Sequence, residues 1–221
     1  MRSTMPERHP HEEATTRTRA DPLDALARAW PPFVAKCRSV LASELHYQAV
    51  LYHCLRANGL VPPGQLGMNV KVWIADVVSE YFRKLDARKH PDYRGGFEPV
   101  PDIVIFRPEI RGDFRRRNRE NTLRQMLAAV EVKASERYRG RLQAGEIVDD
   151  VLKLKALRSE ALHEGGSDVL GVVVVVDTAP EANERMTLEG RRTTEVAARE
   201  HGVGLFYVSP SEASMVLPDV R

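Results

Sequence analysis

Met126-Leu-Ala-Ala-Val-Glu-Val-Lys-Ala134 is the stretch that decides how this chain is read. It is apolar and β-leaning, yet it carries a carboxylate at Glu131 and an ammonium at Lys133. On a strand, an i, i+2 spacing puts both side chains on one face. Upstream, Val100-Pro-Asp-Ile-Val-Ile-Phe106 is also strand-like and carries Asp102 at its start. Two neighbouring strands presenting Asp102, Glu131 and Lys133 to one point make a site for a hard divalent cation. Lysine adds a proton-handling or charge-stabilising group beside it. Of 33 Lys and Arg residues only seven are lysines, which leaves 26 arginines. In a chain so biased toward Arg, a lysine on a buried strand points to a compact charge of tunable pKa, which a guanidinium does not supply.

The 221 residues, 43% of them hydrophobic, suffice to bury one full core. The formal net charge is only +2, so any attraction to nucleic acid must come from a local patch. Cys37 and Cys54 have no metal-type spacing and read as reduced thiols of a cytoplasmic protein. The longest apolar run, Val169 to Val176, is too short to span a bilayer and fits a doubly buried strand. Met1 to Ala20 is polar, without the apolar core of a signal peptide, and reads as a disordered tail or leftover start site ahead of a single domain over 21–221.

Asp21-Pro22 predicts a helix start, and Pro31-Pro32 predicts its end. A long amphipathic helix is expected from Phe33 to Ala57, closed by Asn58-Gly59. Met68 to Ile74 alternates as a strand, and Ala75 to Lys89 returns to helical spacing. After a Gly/Pro-rich connection over 90–99 come the Asp102 strand, a polar excursion over Arg107–Arg124, and the Glu-x-Lys strand. Leu142–Glu164 is helical, Gly165-Gly166 stops it, and Val169–Val176 is a strand. A helix over Ala182–His201 and a strand over Val203–Val208 complete the order.

This succession, with Pro101-Asp102 and Glu131-Val132-Lys133 on consecutive core strands, resembles the PD-(D/E)XK nuclease superfamily of restriction endonucleases, junction resolvases and repair nucleases. The likeness spans roughly residues 39–208 and implies an α/β fold: a restriction endonuclease-like core with a central mixed sheet flanked by helices, αβββαβ plus a C-terminal αβ. It implies a Mg²⁺-dependent phosphodiesterase, an endodeoxyribonuclease, with Mn²⁺ able to substitute. Asp102, Glu131 and the Val132 carbonyl would hold the metal, joined by Glu44 from the first helix, and Lys133 would act on the attacking water or the phosphate. Asp149, Asp150 and Lys153 on the following helix would face the site. Double-stranded DNA is the implied partner, with a homodimer left open and no membrane association. One departure is that the Gln-x-x-x-Tyr signature of the RecB-like branch is missing from the Leu142–Glu164 helix.

Each feature also has a plainer explanation. Asp102, Glu131 and Lys133 could form an internal salt bridge on an exposed sheet face, and Asp150 with Lys153 an i, i+3 surface ion pair. Glu44 could be a solvated helical charge. The excursion holds seven arginines against Glu109, Asp113 and Glu120, a local excess of four. There Arg115, Arg116 and Arg117, with Lys153 nearer the motif, could grip phosphates, or the segment could be a solvated hairpin. His46 and His53 lack converging ligands for zinc. Trp73, Phe106 and Tyr138 read as core or rim rather than base-stacking platforms. The competing function is a catalytically inactive nucleic-acid-binding or scaffolding protein that keeps the fold. A non-nuclease α/β enzyme is disfavoured by the lack of a Gly-rich phosphate loop.

Overall fold

The computed structural model describes residues 20–89 and 95–218. The expected N-terminal tail therefore lies, but for Ala20, outside the described residues, as does part of the 90–99 connection. Six strands form one open mixed sheet: β1 (Leu66–Met68), β2 (Ile103–Phe106), β3 (Met126–Ala134), β4 (Leu170–Val176), β5 (Gly204–Val208) and β6 (Ala213–Val216), in that spatial order. β1, β2 and β3 are antiparallel, β3 to β5 are parallel, and β6 closes the sheet antiparallel to β5. Every residue of β4 is buried, as its unbroken valine run requires.

Helices cover both faces. α1 (Ala20–Ser39) and α2 (Glu44–Ala57) pack on the face that carries Ile103, Val130, Val132, Val174 and Phe206. α3 (Glu80–Ala87), α5 (Ala144–His163) and α6 (Leu188–His201) cover the other, which carries Val104, Ala129, Val173, Val175 and Leu205. α4 (Arg119–Arg124) lies in the excursion between β2 and β3. Both parallel crossovers put their helices on the same face, as a single crossover hand produces.

Several boundaries depart from the sequence expectation. Pro31 and Pro32 sit inside α1 instead of ending it. A mid-helix proline costs about 3 kcal/mol. Trp30 and Phe33 flank the pair, stack at 5.7 Å and are buried, with Trp30 also edge-on to Phe206. Burial of two such side chains is worth about 1.5–3 kcal/mol each and offsets half or more of the combined cost of the two prolines. The chain breaks instead at residues 40–43, where the Tyr47 hydroxyl donates to the Val40 carbonyl and accepts from the Ala42 N–H. That turn makes Glu44 the first residue of α2.

The alternation over Met68–Ile74 is real, since Val70, Val72 and Ile74 are all buried. The ladder is interrupted because Asn69 adopts a left-handed backbone, φ 50°. β1 therefore ends at Met68, and the alternating stretch continues only through a hydrogen bond from the Val72 N–H to Pro99 and an isolated antiparallel bridge between Ile74 and Phe97. α3 begins at Glu80 rather than Ala75, and α6 at Leu188 rather than Ala182, where the Thr187 hydroxyl caps the Gly190 N–H. β6 and α4 were not expected from sequence. Cys37 and Cys54 are free and buried, and no helix among the described residues is long and apolar enough to cross a membrane.

Candidate active site

β2 and β3 run antiparallel with Ile103 opposite Val130, so the next step outward brings Asp102 beside Glu131. The Asp102 carboxylate accepts the Val132 N–H at 2.7 Å, which ties the start of β2 to the motif strand. Glu131 is 2% exposed. Its Oε1 lies 2.7 Å from Lys153 Nζ, delivered by α5. Lys133 Nζ stands between two carboxylates, 3.3 Å from Glu44 on α2 and 3.3 Å from Asp150 on α5. It also approaches the Val132 carbonyl at 3.5 Å.

The sequence expectation thus converges: Asp102, Glu131, Lys133, Glu44 and the Val132 carbonyl gather at the carboxyl end of β3, joined by Asp150 and Lys153. Asp150 and Lys153 do not pair with each other on a solvated surface, because each turns inward to a motif-strand residue of opposite charge. Glu44 is not a free helical charge either. Two members were missed. Gln48 is buried one turn after Glu44 and hydrogen-bonds Asp102. Tyr81 on α3 bonds Asp149, and burial together with that carboxylate pushes its phenol up to about 12. The i, i+4 spacing of Glu44 and Gln48 was a legible signal; for Tyr81 there was none.

Four carboxylates and two lysines, all ionised, carry a charge of −2. Burial pushes Glu44, Asp102 and Asp150 above the ordinary carboxylate range, and Glu131 up to about 8. Burial works against the Lys133 charge, but Asp150 and Glu44 outweigh it and hold its pKa above the usual lysine value. Glu131 Oε1 and Asp150 Oδ2 are buried oxygens with no well-aligned hydrogen-bond donor, so their short lysine contacts are ion pairs of imperfect geometry. This cluster has spare negative charge and spare acceptor capacity.

No group of three or more His, Cys, Asp or Glu side chains among the described residues is arranged to hold a metal ion. The donors that do meet are two carboxylates, Asp102 and Glu131, beside a backbone carbonyl. That set suits Mg²⁺, which uses one or two protein carboxylates and keeps water or substrate oxygens in its other positions. His46 and His53 lie exposed on α2, away from this group.

The Arg107–Arg124 excursion lies at the other pole. It joins the end of β2 to the start of β3, and at ~3.3 Å per residue Met126 is roughly 23 Å along the strand from Lys133. Tethering to both motif strands therefore carries it away from the site, not toward it. Its arginines are also engaged within the protein: Arg115 with Asp113, Arg116 with Glu98, Arg117 with Asp113, and Arg119 over the Trp73 ring. Basic residues on the site's own side include Arg137, Arg139 and Arg141, in the loop that follows β3, and of these Arg137 pairs with Glu146 at 2.7 Å.

Compared with protein-family models, with curated proteins and with solved structures, the chain matches none. The site's chemistry rests on its own geometry.

Proposed function

We propose that this chain is a divalent-metal-dependent nuclease of restriction endonuclease-like fold that hydrolyses phosphodiester bonds in DNA. The observation that carries the reading is the six-residue cluster of Asp102, Glu131, Lys133, Glu44, Asp150 and Lys153 at the carboxyl end of a parallel strand, two positive charges short of neutrality once every group is ionised. The element succession and the literal Pro-Asp and Glu-x-Lys motifs support the same superfamily. Ligands of open α/β sheets bind outside the carboxyl ends of the strands, where this cluster lies.

Each residue has a role that follows from its surroundings. Asp102 and Glu131, with the Val132 carbonyl, would hold Mg²⁺ or Mn²⁺, which when bound neutralises phosphate charge and makes water acidic. The Val132 N–H fixes the Asp102 carboxylate, and Gln48 supports it. Lys133, kept cationic by Glu44 and Asp150, presents a preorganised ammonium to the attacked phosphate or the attacking water. Lys153 balances Glu131 before substrate arrives and would then be released to contact a neighbouring phosphate. Arg115, Arg116 and Arg117 would touch only a duplex long enough to reach the opposite pole.

A second reading draws on the ion pairs. Lys133 and Lys153 already occupy three of the four carboxylates, as in a nucleic-acid-binding protein without turnover. Incubation with plasmid and oligonucleotide DNA in Mg²⁺ or Mn²⁺, then in EDTA, separates the two. Metal-dependent cleavage that disappears in Glu131→Gln is expected; DNA binding without cleavage in either metal would establish the second reading.

A further inference from the structure

The α1–α2 turn, the loop after β3 and the loop after β4 enclose a cleft of about 530 Å³. Leu41, Ser43, Tyr47, Ser135, Tyr138 and Glu184 line it. Its wall is also the wall of the catalytic cluster: Ser43 precedes Glu44, Ser135 follows Lys133 by two residues, and the Glu44 N–H donates to Glu136 at 2.6 Å. Two of its side chains are exposed in a way that no packing role explains. Tyr138 is 81% exposed and Leu41 65% exposed, and Val40 and Leu45 beside the turn are exposed as well. The Arg139 guanidinium lies 4.9 Å from the Tyr138 ring centroid and backs one face of the ring.

We propose that this cleft takes an unpaired nucleobase of the substrate, stacked on Tyr138 beside the phosphate attacked at the Glu131–Lys133 site. The inference rests on the hydrolytic reading above and narrows it to DNA with single-stranded or extrahelical nucleotides. An aromatic face backed by a guanidinium is the platform on which bases stack without regard to sequence. The cleft walls add acidic acceptors, Glu136 and Glu184, and Glu184 is held by the Arg139 N–H at 2.7 Å. Carboxylates repel a phosphate but accept the N–H groups of a base edge, so the base enters and the backbone stays at the rim near Arg137. Leu41 supplies apolar contact from the α1–α2 turn. A volume of about 530 Å³ suits a small ligand. A stable protein partner needs an interface far larger than this cleft.

The test uses an oligonucleotide carrying 2-aminopurine at an unpaired position, with the full chain in EDTA so that no cleavage occurs. Stacking on Tyr138 quenches the fluorescence; the same base in a continuous duplex shows no change. Tyr138→Ala abolishes the quenching and weakens binding of the unpaired substrate about 5- to 150-fold. Tyr138→Trp, which keeps a stacking face, restores both. Absence of quenching by wild-type protein that cleaves DNA in Mg²⁺ overturns this inference and leaves the nuclease reading intact. Quenching without cleavage in any metal keeps the cleft as a base-binding site and ends the hydrolytic reading. Equal quenching in Tyr138→Ala overturns the assignment to this ring.

Discussion

Replacing Lys133 by methionine removes the ammonium that sits 3.3 Å from both Glu44 and Asp150 while keeping most of the side chain's length. At an effective dielectric of about 20 each contact is worth roughly 5 kcal/mol of attraction before desolvation. Removing one partner of a buried pair costs about 3–5 kcal/mol net, because the other charge is left behind. Glu44 retains some solvent, so the lower end applies, about 3 kcal/mol. For a domain of this size that is a fall of roughly 6–12 °C in melting temperature in EDTA. The cluster's charge then becomes −3 instead of −2 with every group ionised, so a divalent cation is held more strongly. Mn²⁺ should therefore raise the variant's melting temperature more than the wild type's. Cleavage should stay lost by about 10²–10⁴-fold, the usual contribution of a positioned proton-transfer or charge-stabilising group. Calorimetric melting with and without Mn²⁺, alongside single-turnover cleavage, measures all three. A smaller Mn²⁺ shift in the variant, or cleavage near wild type, refutes the assignment of Lys133 to the reacting centre.

Further outcomes can be measured independently. Glu160 is buried on α5 and accepts the Val78 and Ser79 N–H groups at 3.1 and 2.8 Å, so it anchors the start of α3. Glu160→Ala should cost about 3–5 kcal/mol in urea unfolding and speed hydrogen exchange at residues 78–82, whereas a loss under 1 kcal/mol would show that α3 holds itself. Asp177 is fully buried, accepts the Tyr207 hydroxyl at 2.8 Å and the Met186 N–H at 3.0 Å, and burial raises its pKa above 3.8. The folded form then keeps a proton that the unfolded chain has released, so stability falls as pH rises from 3.8 through the raised value. Asp177→Asn should remove that fall, gaining on wild type across this window and levelling above it; parallel stability–pH curves would contradict it. Serine at Arg115, Arg116 and Arg117 should leave cleavage of a short oligonucleotide unchanged. Serine at Arg137 and Arg141 should flatten the salt dependence by about 0.9 per lost phosphate contact, and an unchanged slope there would move the binding surface elsewhere.

Much of this protein was legible from its residues because local pattern and burial agree. The valine run of β4 is apolar at every position because both its faces are covered, and Glu131 and Lys133 share a face because a strand has period two. Asp102 at the head of the preceding strand was enough to foresee their meeting. What the sequence could not disclose depends on partners distant along the chain. Pro31-Pro32 is a break by local rules, and only Trp30 and Phe33 packing toward Phe206 carries the helix through it. The pairing of Lys153 with Glu131 and of Asp150 with Lys133, in place of the i, i+3 pair, follows from the depth at which α5 crosses β3. Strand direction, not tether length, sends the arginine-rich excursion to the far pole, because it sets which end of a hairpin a loop occupies. Tyr138 shows the limit most plainly, since its sequence context reads as core or rim alike and only the loops around it leave its ring 81% exposed.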